Sequence, residues 1–436
     1  MNEIMRRFLI YTIFFANLAA ILLLWWNGSL LFFDGTTDGT FIALGRLAGL
    51  LAMFFILVQL ILVSRVPFIE RAYGFDKLNN LHRILGYTLA ATIPMHPILL
   101  SLGYAMSHGI SPVEQFIDFI SNWEEVNNAL IGFIIILTAA VFALPKIRRF
   151  LKYETWRVTH LAMYFGIWFI FDHQTEGATV SHGLGITYWF ALNFSVFGLI
   201  LIYRFLRPFW LYYRHRFVVD RVERETGSVT SVYITGRDME KFRYEAGQYI
   251  NVVFLARGFL QPHPFSISVA PNGKYLRLSI RNSGDFTSRI PKLTPGTKVI
   301  VEGPLGRFTE RAARTEKYLF IAGGIGITPI RAMAESIKEK GGDMIFVYNN
   351  RSMADVPLKS ELDALVMNRK YVFSDMAESG HEFGKVTAEM IARFARDFRD
   401  RDVYICGPWP MMKSVIASLR ESGVPKRQIH FEKFSY

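Results

Sequence analysis

The strongest constraint on this chain is a series of apolar runs, each close to twenty residues long, confined to its first half. The hydrocarbon core of a bilayer takes about 20 apolar residues of helix. Nothing in that core can pair exposed backbone groups, so the polypeptide must satisfy its own hydrogen bonds there. Runs near 8–26, 41–63, 80–104, 129–144, 156–172 and 186–206 predict six membrane-spanning helices. The first follows Arg6 and Arg7, exceeds the core of a signal peptide and has no clean small-residue cleavage site, so it is expected to be retained.

Basic residues fix the orientation. They lie before the first run, between the second and third (Arg65, Arg71, Lys77), between the fourth and fifth (Lys146, Arg148, Arg149, Lys152) and after the sixth (Arg204, Arg207, Arg214, Arg216). The intervening stretches 27–40, 105–127 and 174–185 contain no Lys or Arg. The positive-inside rule therefore puts both termini in the cytoplasm of a cell whose inner or plasma membrane holds the chain. Much of the formal charge of +12 is of this kind, so nucleic acid is not an expected partner. Cys406 is the only cysteine, which excludes an intrachain disulfide and cysteine-based metal sites.

Four histidines fall within the third and fifth runs. His82 and His96 are fourteen positions apart, and His160 and His173 are thirteen apart. Ionisable groups inside a membrane are expensive and mark function. At 1.5 Å per residue each pair is separated by roughly 20 Å along its helix, too far to share one zinc ion. Two such helices side by side would carry two stacked imidazole pairs, which suits axial ligation of two haems. Fourteen residues return an ideal helix to within about 40° of its starting direction, whereas thirteen leave it about 140° away. The fifth span is therefore expected to be irregular, through a tightened turn, a kink or a change of rotamer, with Gly166 as the permissive point.

The remainder of the chain reads as a soluble module. From about Phe217, short alternating segments such as SVTSVYITG and QYINVVFL predict an antiparallel barrel. From Lys317, strands alternate with helices, predicting a small parallel sheet. In AGGIGITP, a strand gives way to a glycine-rich turn and then a helix, where a pyrophosphate can approach the backbone. Arg351 follows the strand DMIFVYNN, where a cation would meet the 2′-phosphate of NADPH, so NADPH is favoured with NADH possible.

These segments resemble the ferredoxin-NADP⁺ reductase-like flavoproteins. The match runs through Gly247, Gln248 and Tyr249, HPFSIS, RNSGDFT, AGGIGITP and the CGP loop. The resemblance implies that His263, Pro264, Phe265 and Ser266 lie along FAD, with Ser266 near its reactive end. It implies that Arg281, Gly284 and Thr287 hold the FAD phosphates. Gly323, Gly324, Gly326, Thr328 and Pro329 would hold the nicotinamide nucleotide, with Cys406, Gly407 and Pro408 on its nicotinamide side. The terminal FEKFSY resembles a tail whose aromatic covers the flavin, Phe434 first and Tyr436 as the alternative.

Joined to six spans with paired histidines, the module is similar to the NADPH oxidase and ferric reductase superfamily, in its compact prokaryotic form. The expectation is a multidomain membrane protein. A six-helix di-haem bundle (1–210) would precede an antiparallel β-barrel FAD domain (211–312) and an α/β parallel-sheet NAD(P)H domain (313–436). The resemblance pairs His82 with His160 at an inner haem b and His96 with His173 at an outer one. It places Arg46 beside the outer haem, where propionates would answer a lone cation in the membrane. Electrons would pass from NADPH through FAD and both haems to oxygen or a ferric chelate outside, or to an extracytoplasmic protein. No obligatory protein partner is expected besides membrane lipid. Two positions depart from the oxidase pattern. Leu100 stands where a second outer histidine is frequent, and Gly166 stands where an aromatic is usual, with Phe165 or Trp168 as substitutes.

Overall fold

The computed structural model describes residues 3–176, 180 and 183–433. The chain forms two compact units, 1–204 and 205–436.

The first unit is helical. Its helices are α1 (Glu3–Ser29), α2 (Thr37–Val63), α3 (Pro67–Tyr73), α4 (Phe75–Thr92), α5 (Met95–His108), α6 (Pro112–Asn122), α7 (Glu124–Ala143), α8 (Pro145–Arg148), α9 (Tyr153–Leu161), α10 (Met163–Phe169), α11 (Asp172–Glu176) and α12 (Gly183–Ile200). Five helices among the described residues are long and apolar enough to cross a membrane, counting α4 and α5 as one. Large apolar side chains such as Phe8, Ile134 and Phe194 stand exposed on this unit, as a lipid-facing surface requires. Its core gathers Phe54, Leu57, Leu60, Trp189 and Val196.

The third predicted span is broken between α4 and α5, where Pro94 has no amide hydrogen to continue the ladder. The fifth is divided into α9, α10 and α11. The irregularity expected there exists, but Gly166 is not its location. Gly166 lies inside α10 and serves packing: a Cβ on it would lie 2.8 Å from Ile136 Cγ1, and one on Gly132 of α7 would lie 2.5 Å from the Gly166 carbonyl oxygen. The breaks fall at Ala162 and after Phe169. There Phe171 N–H donates to the Trp168 carbonyl (3.1 Å) and Gln174 N–H to the Phe171 carbonyl (3.2 Å). Such three-residue turns advance about 120° per residue instead of 100°, so the five steps from Trp168 to His173 add roughly 100°. That recovers most of the error, about 140°, by which a thirteen-residue spacing would misdirect His173.

The second unit opens with α13 (Arg207–His215). Strands β1 (Val218–Arg224), β2 (Val229–Thr235), β3 (Tyr249–Phe254), β4 (His263–Ser266), β5 (Leu276–Arg281) and β6 (Val299–Leu305) form two antiparallel sheets, ordered β1-β2-β5 and β4-β3-β6. They enclose Phe217, Val232, Ile250, Phe254 and Leu278. Next come β7 (Lys317–Gly323), α14 (Ile327–Glu339), β8 (Asp343–Asn350), α15 (Lys359–Leu365), β9 (Asn368–Phe373), β10 (Glu382–Phe383), α16 (Ala388–Phe394), β11 (Asp402–Cys406), α17 (Trp409–Glu421) and β12 (Ile429–Phe431). The strands make one parallel sheet, ordered β10-β9-β8-β7-β11-β12, with an apolar cluster on each face. This is the helical membrane unit followed by the antiparallel and parallel-sheet modules that the sequence predicts.

Candidate functional site

The four histidines meet in pairs. The ring centroids of His82 and His160 are 6.1 Å apart, and those of His96 and His173 are 6.2 Å apart. An imidazole nitrogen binds a metal at about 2.0 Å, and the ring centroid lies about 1.1 Å behind it, so a bis-histidine site needs centroids about 6.3 Å apart. Both pairs therefore have the separation that two axial imidazoles require. No cluster of three or more metal-ligating side chains occurs among the described residues.

Each ring has a distinct local support. Nδ1 of His96 donates to the Gly45 carbonyl (2.8 Å), and Nδ1 of His82 faces the Gln59 carbonyl (3.3 Å). A carbonyl can only accept, so in both rings Nε2 is left with its lone pair. His160 stacks on Trp156, one turn earlier (5.3 Å, 19°). The turn bearing His173 is tied down by its neighbour: Gln174 donates to the Ile170 carbonyl (2.7 Å) and accepts from Trp189 Nε1 (3.0 Å).

Arg46 lies one residue beyond Gly45 on α2. It donates to the Gly28 carbonyl (3.0 Å) and lies over the Phe32 ring (4.3 Å). Leu100 packs where a Cβ on Gly45 would stand, at 2.8 Å. Phe165 and Trp168, flanking Gly166, are 69% and 77% exposed.

In the second unit, His263, Pro264, Phe265 and Ser266 form β4, paired with Val252 to Tyr249 of β3 and ending on the buried Ser266. His263 stacks on Phe286 (centroids 3.5 Å, 18°). Phe286, within RNSGDFT, is a residue the sequence reading passed over. Arg281 ends β5, and Thr287 opens the next helical turn, where its hydroxyl donates to the Gly284 carbonyl (3.1 Å).

The glycine-rich loop reaches the same place. Gly324 has φ +52°, and the nearest atom to a Cβ there is Nη1 of Arg281, at 3.3 Å. A guanidinium, an open glycine and the start of α14 thus converge, which is a donor set for pyrophosphate. The other glycines serve packing. A Cβ on Gly326 would lie 2.3 Å from the Cys406 carbonyl oxygen, and one on Gly407 would lie 2.9 Å from Gly323 Cα. They let the AGGIG and CGP loops touch at the ends of adjacent β7 and β11. Thr328 and Pro329 are buried in the first turn of α14, with the Thr328 hydroxyl donating to the Ile325 carbonyl (3.0 Å).

Cys406 is fully buried, and burial followed by the Glu432 carboxylate holds its thiol well above the ordinary range. Glu432 is a second residue the sequence reading missed; its place in FEKF was the available signal. Pro408 and Arg351 are exposed at loop positions. Phe434 and Tyr436 lie outside the described residues.

Three family models match in succession: a ferric reductase like transmembrane component over residues 48–171, an FAD-binding domain over 221–309 and an oxidoreductase NAD-binding domain over 320–416. That order is the architecture of NADPH oxidases and ferric reductases, an integral membrane unit joined to the domain set of an NAD(P)H-dependent oxidoreductase. Among curated relatives, flavohemoprotein A of Dictyostelium discoideum is 27% identical over 238 residues, which is 50% of this chain and 59% of that protein. The glycine betaine monooxygenase reductase subunit of Pseudomonas aeruginosa is 27% identical over 239 residues, 52% of this chain and 65% of that one. The chain thus spans less than two thirds of these relatives. Among solved structures, the FAD/NAD-binding domain of a Vibrio cholerae nitric oxide dioxygenase aligns with 50% of this chain and 98% of its own length, at 24% identity and a TM-score of 0.45.

Proposed function

We propose that this chain carries electrons across a cell membrane, from cytoplasmic NADPH through FAD and two b-type haems to an acceptor outside, with oxygen reduced to superoxide. The observation that carries the reading is the pair of imidazole pairs, each at the separation an axial metal site needs, with His82, His96 and His160 inside the ferric reductase-like segment 48–171 and His173 two residues beyond it. FAD supplies the conversion of a two-electron hydride into single electrons, and bis-histidine haems supply a one-electron path between the membrane faces.

The chain's own residues hold and orient. His82 and His160 present one Nε2 pair, and His96 and His173 the other. Arg281 receives the FAD pyrophosphate, Gly324 the phosphates of the nicotinamide nucleotide, and β4 from His263 to Ser266 lines the flavin. Arg351, exposed after β8, meets the 2′-phosphate and favours NADPH. Arg46 offers positive charge at the outer pair. No residue need act as a covalent nucleophile or general base. Outward electron flow is assisted by an ordinary membrane potential, by up to ~2.3 kcal/mol per 100 mV for a full crossing.

A second reading is a transmembrane ferric-chelate reductase. It is favoured by the transmembrane family match and by Leu100 in place of the oxidases' additional histidine. Stopped-flow reoxidation of the reduced protein decides between them. Fast reoxidation by oxygen with dismutase-sensitive dye reduction is expected. Slow reaction with oxygen and fast reaction with ferric chelates would select the second reading, and inertness to both would indicate a protein acceptor. Absence of haem absorbance would sink the whole proposal.

A further inference from the structure

Helix α2 carries none of the four histidines, yet it reaches two of them by the same device. The carbonyls of Gly45 and Gln59 face Nδ1 of His96 and His82 respectively. The two carbonyls are fourteen positions apart on α2, and the two histidines are separated by the same interval across α4 and α5, in the opposite chain direction. Residues at that interval on a helix point within about 40° of each other, so one face of α2 addresses both rings.

A helical carbonyl points toward the residue four positions later, whose side chain would ordinarily screen it. Of the three accepting carbonyls of this contact, those of Gly45 and His82 have a glycine at that position, whereas Val63 follows Gln59. Gly49 follows Gly45 by four, and a Cβ on it would lie 2.6 Å from Nδ1 of His96 and 2.7 Å from its Cε1. Gly86 follows His82 by four, and the Gln59 side chain donates through Nε2 to the His82 carbonyl (2.9 Å). A Cβ on Gly86 would lie 3.0 Å from that same Nε2.

We infer that α2 is the positioning element for both candidate haem ligands of the third span, and that Gly49 and Gly86 are the openings through which it reaches them. The inference rests on the haem reading above. A ligating histidine is commonly held in one tautomer and one plane by donating its other N–H to a carbonyl. Gly45 does this for His96 directly. Gln59 does it for His82 through its carbonyl, and also holds the backbone of His82 through its side chain.

The test uses the purified full chain. Unaltered protein should hold two haems per flavin. Gly49→Ala should lower the ratio to one, with the remaining haem keeping its midpoint potential and ferric low-spin EPR signal. Gly86→Ala should keep both haems but shift the EPR signal and midpoint of one. Gly198→Ala, on α12 with open space around its added Cβ, should match the unaltered protein. Two haems with unchanged signals in Gly49→Ala would overturn the inference, as would an equal loss in Gly198→Ala. If Gly49→Ala does not accumulate, Gly86→Ala decides, and unchanged signals there overturn it. Unaltered protein without haem would overturn the functional reading instead.

Discussion

Glu361 joins the two halves of the second unit, and removing it should measure that junction. Its carboxylate bridges Arg277 of β5 (2.6 and 3.0 Å) and Arg331 of α14 (2.7 Å). Both arginines are buried, at 3% and 6% exposed, whereas the Glu361 side chain is 35% exposed. Breaking a buried pair by deleting one partner costs about 3–5 kcal/mol. Two facts lower that here. Solvent screens the exposed side of the carboxylate, and both guanidiniums keep partners, Arg277 the Ser268 carbonyl (2.8 Å) and Arg331 the Glu335 carboxylate. Glu361→Leu should therefore cost about 2–3 kcal/mol, which for a unit of this size is a fall in Tm of about 4–12 °C. Thermal unfolding of the detergent-solubilised chain, followed by flavin release, reads it. Arg277→Met with Glu361→Leu should recover much of the loss, since well-packed apolar groups replace buried pairs at little cost. Burial pushes the Glu361 carboxyl up, but the Arg277 and Arg331 guanidiniums outweigh it and hold the group below the ordinary 4.5. Its folded value is thus depressed, so this stabilisation is full above about pH 4.5 and is lost as pH falls through the lower folded value. Glu361→Leu should erase that acid-side loss. A variant within 1 °C of the parent (about 0.3 kcal/mol) would refute the reasoning.

Other outcomes follow from single contacts. Gly326→Ala places a Cβ against three backbone atoms of the CGP loop and should cost about 1–3 kcal/mol, with a raised KM for NADPH in steady-state assays. Arg351→Ala should raise the KM for NADPH about tenfold, near 1.4 kcal/mol, and leave that for NADH unchanged. Arg46→Met should slow reduction of the external acceptor about tenfold while NADPH-dependent flavin bleaching keeps its rate. Equal slowing of both would place Arg46 outside the outer site.

The sequence carried whatever depends on period and local chemistry. The apolar runs became helices because lipid leaves the backbone no other partner. The alternation after Phe217 became two antiparallel sheets, and the strand–helix rhythm after Lys317 became the parallel sheet. Even the strain in the thirteen-residue interval was legible as arithmetic. Its location was not, because Gly166 has two possible uses and only the neighbouring helix decides between them; Gly132 takes it for packing. The carbonyls of Gly45 and Gln59 could not be read at all, because backbone atoms have no signature in a sequence.

The three-residue turns before His173 make the fifth span a gauge as well as a scaffold. One residue inserted or deleted between Ala162 and Trp168 would swing His173 by about 100° and displace it by about 1.5 Å along the axis. A designer grafting this bundle must therefore keep the number of residues there, and keep Gly166 for its packing against Gly132 and Ile136. The third span reaches the same alignment with whole turns and a proline, so the two halves of each candidate haem site would respond differently to the same length change.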